Sequence, residues 1–405
     1  MPGRFVRRTI LVSLACWALA AQAADTPAPV VRSAAQLESV LASSRPSPLD
    51  AFTPYGKRRF LQSLRWSERG LSTFSTIPLL RELEPRQIAN VLAFIDASAY
   101  SPMLEKELIG APLRLPAPTA DAVARLARIE RLADEDERRR DDPGGALTMT
   151  DDAQMDRRFA AVFGERPSRF TLQELPVSDL PPYFDAAALA AQGGMDSVAS
   201  RFLMAVYEEM RVRGIDTRRT FDEAVLRRML EAREFEQARE FAATKPHLAG
   251  RTIPTLRDPL GPEFKGRSAY RFDAATNTLV REALPHPRGP ELVMVVDAGC
   301  HFSADALAAL RDDAAMRARL LQAGLVLVTP PRSVFSASFI DEWNRSNPSI
   351  PIRLPFSAAE WQAVDVAGVP RFFLLKDGKV AGQVTGWPAE GNKAALLALL
   401  DAAAD

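Results

Sequence analysis

The sequence predicts a mainly α-helical N-terminal region followed by a C-terminal α/β domain. Three observations predict it. Apolar residues recur at helical spacing in two stretches, as Val123, Leu126, Ile129 and Leu132, and as Val198, Phe202, Val206 and Met210. That spacing lines one face of a helix. Short apolar runs at 292–296, 325–328 and 372–375 sit between Gly, Pro and Asp punctuation, the mark of buried strands. Helical stretches separate the first two runs, and such alternation predicts strands joined by crossover helices.

At 405 residues the chain is long enough for about two or three domains. A hydrophobic content of 47% and a charged content of 25% are those of an ordinary globular protein. The formal net charge is zero, so no long-range field draws the chain to nucleic acid. Arg138, Arg139 and Arg140 stand among Asp134, Glu135, Asp136 and Glu137, which neutralise them. Nucleic acid is therefore excluded as a partner.

The elements follow in order. Arg4, Arg7 and Arg8 precede an apolar run at 9–21, and Ala21-Gln22-Ala23 closes it. This reads as a signal peptide over 1–23, and it predicts a periplasmic or secreted protein with no stable membrane span after cleavage. Cys16 leaves with the signal, so the mature chain carries Cys300 alone. No internal disulfide can then form, and a lone thiol in an oxidising compartment is either reactive or paired with another chain. Residues 24–48 are rich in Pro, Ser and Ala and read as a flexible lead.

A helical region is expected over 49–142, with helices at 55–64, 77–84 and 85–95 and a break at Arg69-Gly70. Pro85 suits a first helical position, and Thr119 suits the cap of a further helix. The charge run from Asp134 closes on Pro143-Gly144-Gly145, which reads as a solvated linker. A second helical region spans 146–250, with helices at 195–212, 220–233 and 235–243 and a stop at Gly214. The stretch 231–246 looks like the second helix of a tetratricopeptide-type hairpin. It occurs once, and a solenoid needs several copies, so an ordinary helical hairpin is expected. Residues 251–268 are rich in Pro and Gly and read as a linker. The C-terminal domain, 269–405, opens with a hairpin at 270–273 and 278–281. Strands at 292–296 and 325–328, a helix at 338–344, a hairpin at 372–375 and 380–384 and a closing helix at 393–403 follow.

The chemistry gathers at two places in that domain. The strand at 292–296 runs into Cys300-His301-Phe302-Ser303 and then a helix at 304–310. Downstream, Gly368-Val369-Pro370-Arg371 leads into the strand at 372–375 and a Lys376-Asp377-Gly378 turn. Over roughly residues 285–405 these features resemble the thioredoxin-like superfamily, in a Cys-x-x-Ser variant of its Cys-x-x-Cys motif. The resemblance implies that Cys300 is the nucleophile, its thiolate favoured by a helix N-terminus and further by His301 when protonated. Ser303 stands where the family has its resolving cysteine. Its hydroxyl is placed to donate to the thiolate, but it cannot release a mixed disulfide by internal attack. Val369-Pro370 matches the family's cis-proline loop. With His301, Phe302 and Arg371 it would form the groove where a bound peptide lies beside the sulfur.

The departures from the family pattern are consistent with one another. Gly299 replaces the tryptophan before the cysteine, and Met294 stands at the place of a buried aspartate. That aspartate assists the resolving cysteine, which is also missing, so a general dithiol reductase is disfavoured. The expected function is monothiol exchange with envelope protein thiols or disulfides. The alternative is a redox-inactive binding module of a cell-envelope assembly. No cofactor or metal is implied. His247, His286, His301 and Cys300 lack metal-ligand spacing, and no Walker loop, dinucleotide fingerprint or Gly-x-Ser-x-Gly elbow is present.

Overall fold

The computed structural model describes residues 30–43, 45–67, 70–141, 152–165, 169–191, 194–331, 333–364 and 368–402. The expected signal, 1–23, lies outside them. The chain divides into two compact units, Met1–Leu108 and Ile109–Asp405.

The first unit holds α1 (Ala34–Ala42), α2 (Pro54–Ser63), a hairpin of β1 (Arg65–Ser67) and β2 (Gly70–Thr73), α3 (Ile77–Glu82), α4 (Pro85–Phe94) and α5 (Ser101–Glu107). Local chemistry sets the helix starts. Pro54 and Pro85 occupy first helical positions, where the missing N–H costs nothing. Thr53 Oγ1 accepts from the Gly56 amide at 3.0 Å. The Glu82 carboxylate sits over the same helix end, accepting from Thr53 N at 2.9 Å and Thr53 Oγ1 at 2.8 Å. A Cβ at Gly56 would lie 2.1 Å from Glu82 Oε2, so a side chain there would push the carboxylate off the helix end. Phe60, Leu79, Leu83, Ile88, Val91 and Ile95 fill this unit's core.

The second unit begins with α6 (Ala120–Asp141), α7 (Asp152–Phe163), α8 (Arg169–Glu174), α9 (Leu180–Ala190), α10 (Val198–Val212), α11 (Phe221–Glu231) and α12 (Phe235–Ala243). Here the expected boundaries change. Of the expected linker, the charge run 134–141 is helical, and Pro143-Gly144-Gly145 lies outside the described residues. The run continues α6, with Arg139 reaching Glu135 at 3.8 Å one turn away, a spacing that supports a solvated helical face. Ala122, Leu126 and Ile129 of α6 lie in the core of the second unit, so the break falls at 108/109 rather than near 142. Carboxylates again close the helix ends. Asp179 accepts from Thr119 N and Oγ1, each at 2.7 Å, before α6. Asp156 accepts from Val198 N at 2.8 Å and Ala199 N at 3.1 Å, at the start of α10.

The rest of the unit is β3 (Thr255–Arg257), β4 (Ser268–Asp273), β5 (Thr278–Ala283), β6 (Glu291–Val295), α13 (His301–Asp312), α14 (Ala314–Gln322), β7 (Val326–Val328), α15 (Ala337–Ser346), β8 (Ile352–Pro355), β9 (Arg371–Lys376), β10 (Lys379–Thr385) and α16 (Lys393–Asp401). The strands make one mixed sheet of eight, in the order β10-β9-β6-β7-β8-β4-β5-β3. From β6 onward, strand, helix, strand, helix, hairpin and helix follow in the expected order, with β8 inserted before the hairpin. β6, β7 and β8 run parallel, and β9 pairs antiparallel with β6.

The stretch 251–268 is not a free linker. It carries β3, which pairs with β5 at the sheet's edge. Asp258 also pairs with Arg281 of β5 at 3.0 Å. Nor does the helical block stand apart from the sheet. Phe202, Tyr207, Phe221 and Phe235 share one continuous core with Tyr270, Phe272, Met294 and Phe372. The Phe335 ring lies 6.4 Å from Phe235 of α12 and 5.1 Å from Phe272 of β4. Alternation along the strands sends Val293, Val295 and Phe373 to a second, smaller core on the opposite face. A 3₁₀ segment, Ala359–Val364, covers that core through Trp361 and Val364. Among the described residues no helix is long and apolar enough to cross a membrane.

Candidate functional site

The site forms where β6 gives way to α13. Asp297 folds the turn between them. Its Oδ1 accepts from Gly299 N at 2.9 Å and its carbonyl accepts from Cys300 N at 3.3 Å. An Asp bonding the amide two residues on is a side-chain mimic of a backbone turn. Cys300 then stands as the N-cap of α13 in extended conformation, φ −103° and ψ 112°. Its carbonyl accepts the first helical bond, from Ala304 N at 3.1 Å. The sulfur is thus held at a helix N-terminus, where unpaired amides favour negative charge.

Cys300 is half-buried, and its Sγ donates to the carbonyl oxygen of Val369 at 3.2 Å. The Val369–Pro370 peptide bond is cis. Cys300, Val369 and Pro370, 69 residues apart between sulfur and carbonyl, therefore meet at one spot. Arg371 starts β9 directly after the proline, is buried, and lies in register with Val295 of β6. His301 and Phe302 both face solvent, their ring centroids 3.8 Å apart. Phe302 is 43% exposed, a large apolar side chain left at the mouth of the turn.

Ser303 is tied to the turn that precedes the cysteine. It is fully buried at 0% exposure, and its Oγ accepts from Asp297 N at 3.2 Å. Among the described residues no hydrogen bond joins Ser303 to Cys300. Through its bond to Asp297 N the hydroxyl oxygen braces the thiol-bearing turn. Asp297 is the residue that sequence reasoning missed. The signal was present, since an Asp two residues before a Gly is turn chemistry. What drew attention there was only the missing buried aspartate at Met294.

Comparisons with known proteins add little. No protein family profile matches the chain, and no curated protein matches it. Two solved structures are similar in part. One is the C-terminal domain of an uncharacterized protein from Bacteroides fragilis NCTC 9343, 14% identical, with a TM-score of 0.23. That match covers 34% of this chain and 93% of the other. The second is a thioredoxin-like protein from Bacteroides caccae ATCC 43185, 15% identical, with a TM-score of 0.22, covering 72% of this chain and 99% of the other.

The arrangement offers one nucleophile, a main-chain acceptor beside it and an exposed aromatic rim. Among the described residues no group of three or more His, Cys, Asp or Glu side chains converges as metal ligands.

Proposed function

We propose that this chain is a thioredoxin-like protein of the cell envelope that exchanges thiols and disulfides through one cysteine, Cys300. One observation carries the reading: Cys300 is the N-cap residue of α13, and its sulfur lies 3.2 Å from the Val369 carbonyl, beside cis Pro370. In the reaction the Cys300 thiolate attacks one sulfur of a partner's disulfide. A bond forms between the two, the partner's own S–S bond breaks, and its second sulfur leaves as a thiolate that takes up a proton. The buried Ser303 offers no second thiol, so the mixed disulfide persists until a thiol of the partner or of a third molecule attacks it. The partners are envelope proteins bearing reactive thiols or disulfides, and the signal-like pattern of residues 1–23 supports that location.

The test is alkylation of the folded protein by a maleimide probe across pH, followed by trapping from envelope fractions with wild type and Cys300→Ser. The expected result is rapid labelling of Cys300 before unfolding, and covalent adducts that vanish in the variant and under reductant. A thiol that labels only after unfolding overturns the proposal. The domain would then be a redox-inactive docking module.

A further inference from the structure

The segment Ala359–Val364, which leads toward Val369, is fastened at one carboxylate. Glu360 Oε2 accepts from Ser268 N and from Ser268 Oγ, each at 2.7 Å, and Glu360 Oε1 accepts from Arg281 at 3.0 Å. Arg281 is 3% exposed. It also donates to Ser268 Oγ at 2.8 Å, Asp258 Oδ2 at 3.0 Å and the Gly261 carbonyl at 3.2 Å. Its guanidinium lies 3.4 Å from the Phe356 ring centroid. The next residue, Trp361, donates its indole N–H to the Ser268 carbonyl at 2.7 Å. Arg267 stacks on that indole at 4.6 Å and forks onto Glu291, the first residue of β6, at 2.9 and 2.6 Å.

Trp361 and Val364 fill the small core with Val293, Val295 and Phe373, and Val369 packs against that same cluster. A packed path therefore joins Glu360 to the carbonyl that accepts the Cys300 hydrogen bond. We infer that Glu360 is a positioning residue for the thiol site, setting where the Val369 carbonyl stands relative to Cys300 Sγ. This rests on the reading of Cys300 as the reacting group. A carboxylate is required, since three donors converge on its two oxygens and it has no donor of its own. In a glutamine the NH₂ would face either Arg281 or the Ser268 donors, whichever way the amide turned.

The experiment uses the full chain with the Glu360→Gln substitution, and reads the pH–rate profile of Cys300 alkylation beside the melting temperature. The S–H···O bond holds the sulfur against the Val369 carbonyl, and the sulfur must leave it to react. Loosening the acceptor frees the sulfur for attack and should raise the whole profile by about threefold. Ser268→Ala, which removes one of the three donors, should move the profile in the same direction by less, and supplies the reading if Glu360→Gln does not fold. Glu282→Gln, on β5 of the same sheet and paired with Arg271, should leave the profile in place. A folded Glu360→Gln or Ser268→Ala protein with a lower melting temperature and a wild-type profile overturns the inference, because Glu360 is then scaffold only. Wild-type protein that labels only on unfolding is a different failure: the thiol reading falls, and the positioning role falls with it.

Discussion

Ser303 is the residue at which fold and function separate most sharply. Its oxygen accepts the Asp297 amide at 3.2 Å in a fully buried position. Ser303→Ala leaves that amide without an acceptor at the end of β6. An unsatisfied donor of this kind costs about 1–3 kcal/mol. In a unit the size of Ile109–Asp405, each kcal/mol moves the melting temperature by about 2 °C, so a fall of roughly 2–6 °C is expected. Calorimetry on protein lacking residues 1–23 measures it, and labelling should still find one thiol per chain. Ser303→Cys asks the chemical question. Sulfur is a weaker acceptor, so part of the destabilisation remains. A second thiol, however, now lies one helical turn from Cys300, and side chains three apart on a helix are neighbours within disulfide reach. An oxidising glutathione buffer should remove both thiols from titration, and insulin reduction should rise above the wild-type rate. An unshifted melting temperature in Ser303→Ala refutes the bracing role. Two thiols that stay free in Ser303→Cys refute the placement of Ser303 at the resolving position.

Three further outcomes follow from the second unit. Arg233 donates to the carbonyls of Pro331 at 2.9 Å and Ser333 at 3.0 Å, tying the α11–α12 turn to the loop after β7, so Arg233→Ala should cost about 2–4 kcal/mol in urea unfolding. Because Arg233 has φ +64°, Arg233→Gly loses the same bonds but relaxes the backbone, and should cost about 0.5–1 kcal/mol less; equal losses would refute the strain argument. Tyr207→Phe removes the 2.6 Å bond to the fully buried Asp222, leaving that carboxylate to Lys245 and His247, and should destabilise by about 1–3 kcal/mol; an unchanged urea midpoint would refute it. Burial pushes the Tyr270 phenol up to about 12. A folded value above the unfolded one means that stability is full below about pH 10 and is lost as pH rises from there through about 12. Absorbance titration of wild type against Tyr270→Phe checks this, and Tyr270 ionising near pH 10 in folded protein would refute it.

Much of the C-terminal part was legible in the sequence because each signal there is local. The strand before Cys300, the Gly-Val-Pro turn and the Asp377-Gly378 hairpin each carry their punctuation within a few residues. The observed α2, α4, α10 and α12 likewise fall where periodicity and capping residues placed them. Three things were hidden. β8 lies beside Pro351 and ends at Pro355, and proline argues against a strand when read locally. The helices of 152–190 went unread although Gly164 stops α7 and Asp179 with Pro181 opens α9, and α6 disguised itself as a linker because its last turns are solvated. The carboxylates that close helix ends and clamps (Glu82, Asp156, Asp179 and Glu360) reach partners 29 to 92 residues away, and no local pattern announces such pairings. At the site, Cys300 and Val369-Pro370 were legible as a pair, whereas the bracing task of Ser303 depends on an amide that only the fold brings to it.

The shared core also decides which pieces of the chain can stand alone. Composition marked 251–268 as a spacer, which would make 269–405 an independent domain. The packing argues otherwise. Phe335 lies between Phe272 of the sheet and Phe235 of α12, and Tyr270 and Leu279 belong to the same buried cluster. Cutting at 269 strips the helical cover from this face and removes β3 from the sheet's edge. It also removes Asp258, one of the acceptors of Arg281. Exposing the rings of Tyr270, Phe272 and Phe335 alone costs about 5–9 kcal/mol at roughly 1.5–3 kcal/mol each, which matches the whole stability of a typical domain, about 5–15 kcal/mol. A fragment of 269–405 should therefore aggregate or melt without cooperativity, while 109–405 should unfold in one sharp transition by circular dichroism. Cys300 in the shorter fragment should label at the rate of an unfolded thiol, since the turn that holds it has lost its support. If 269–405 melts cooperatively near the temperature of 109–405, the helical block is an appendage and the shared-core argument fails.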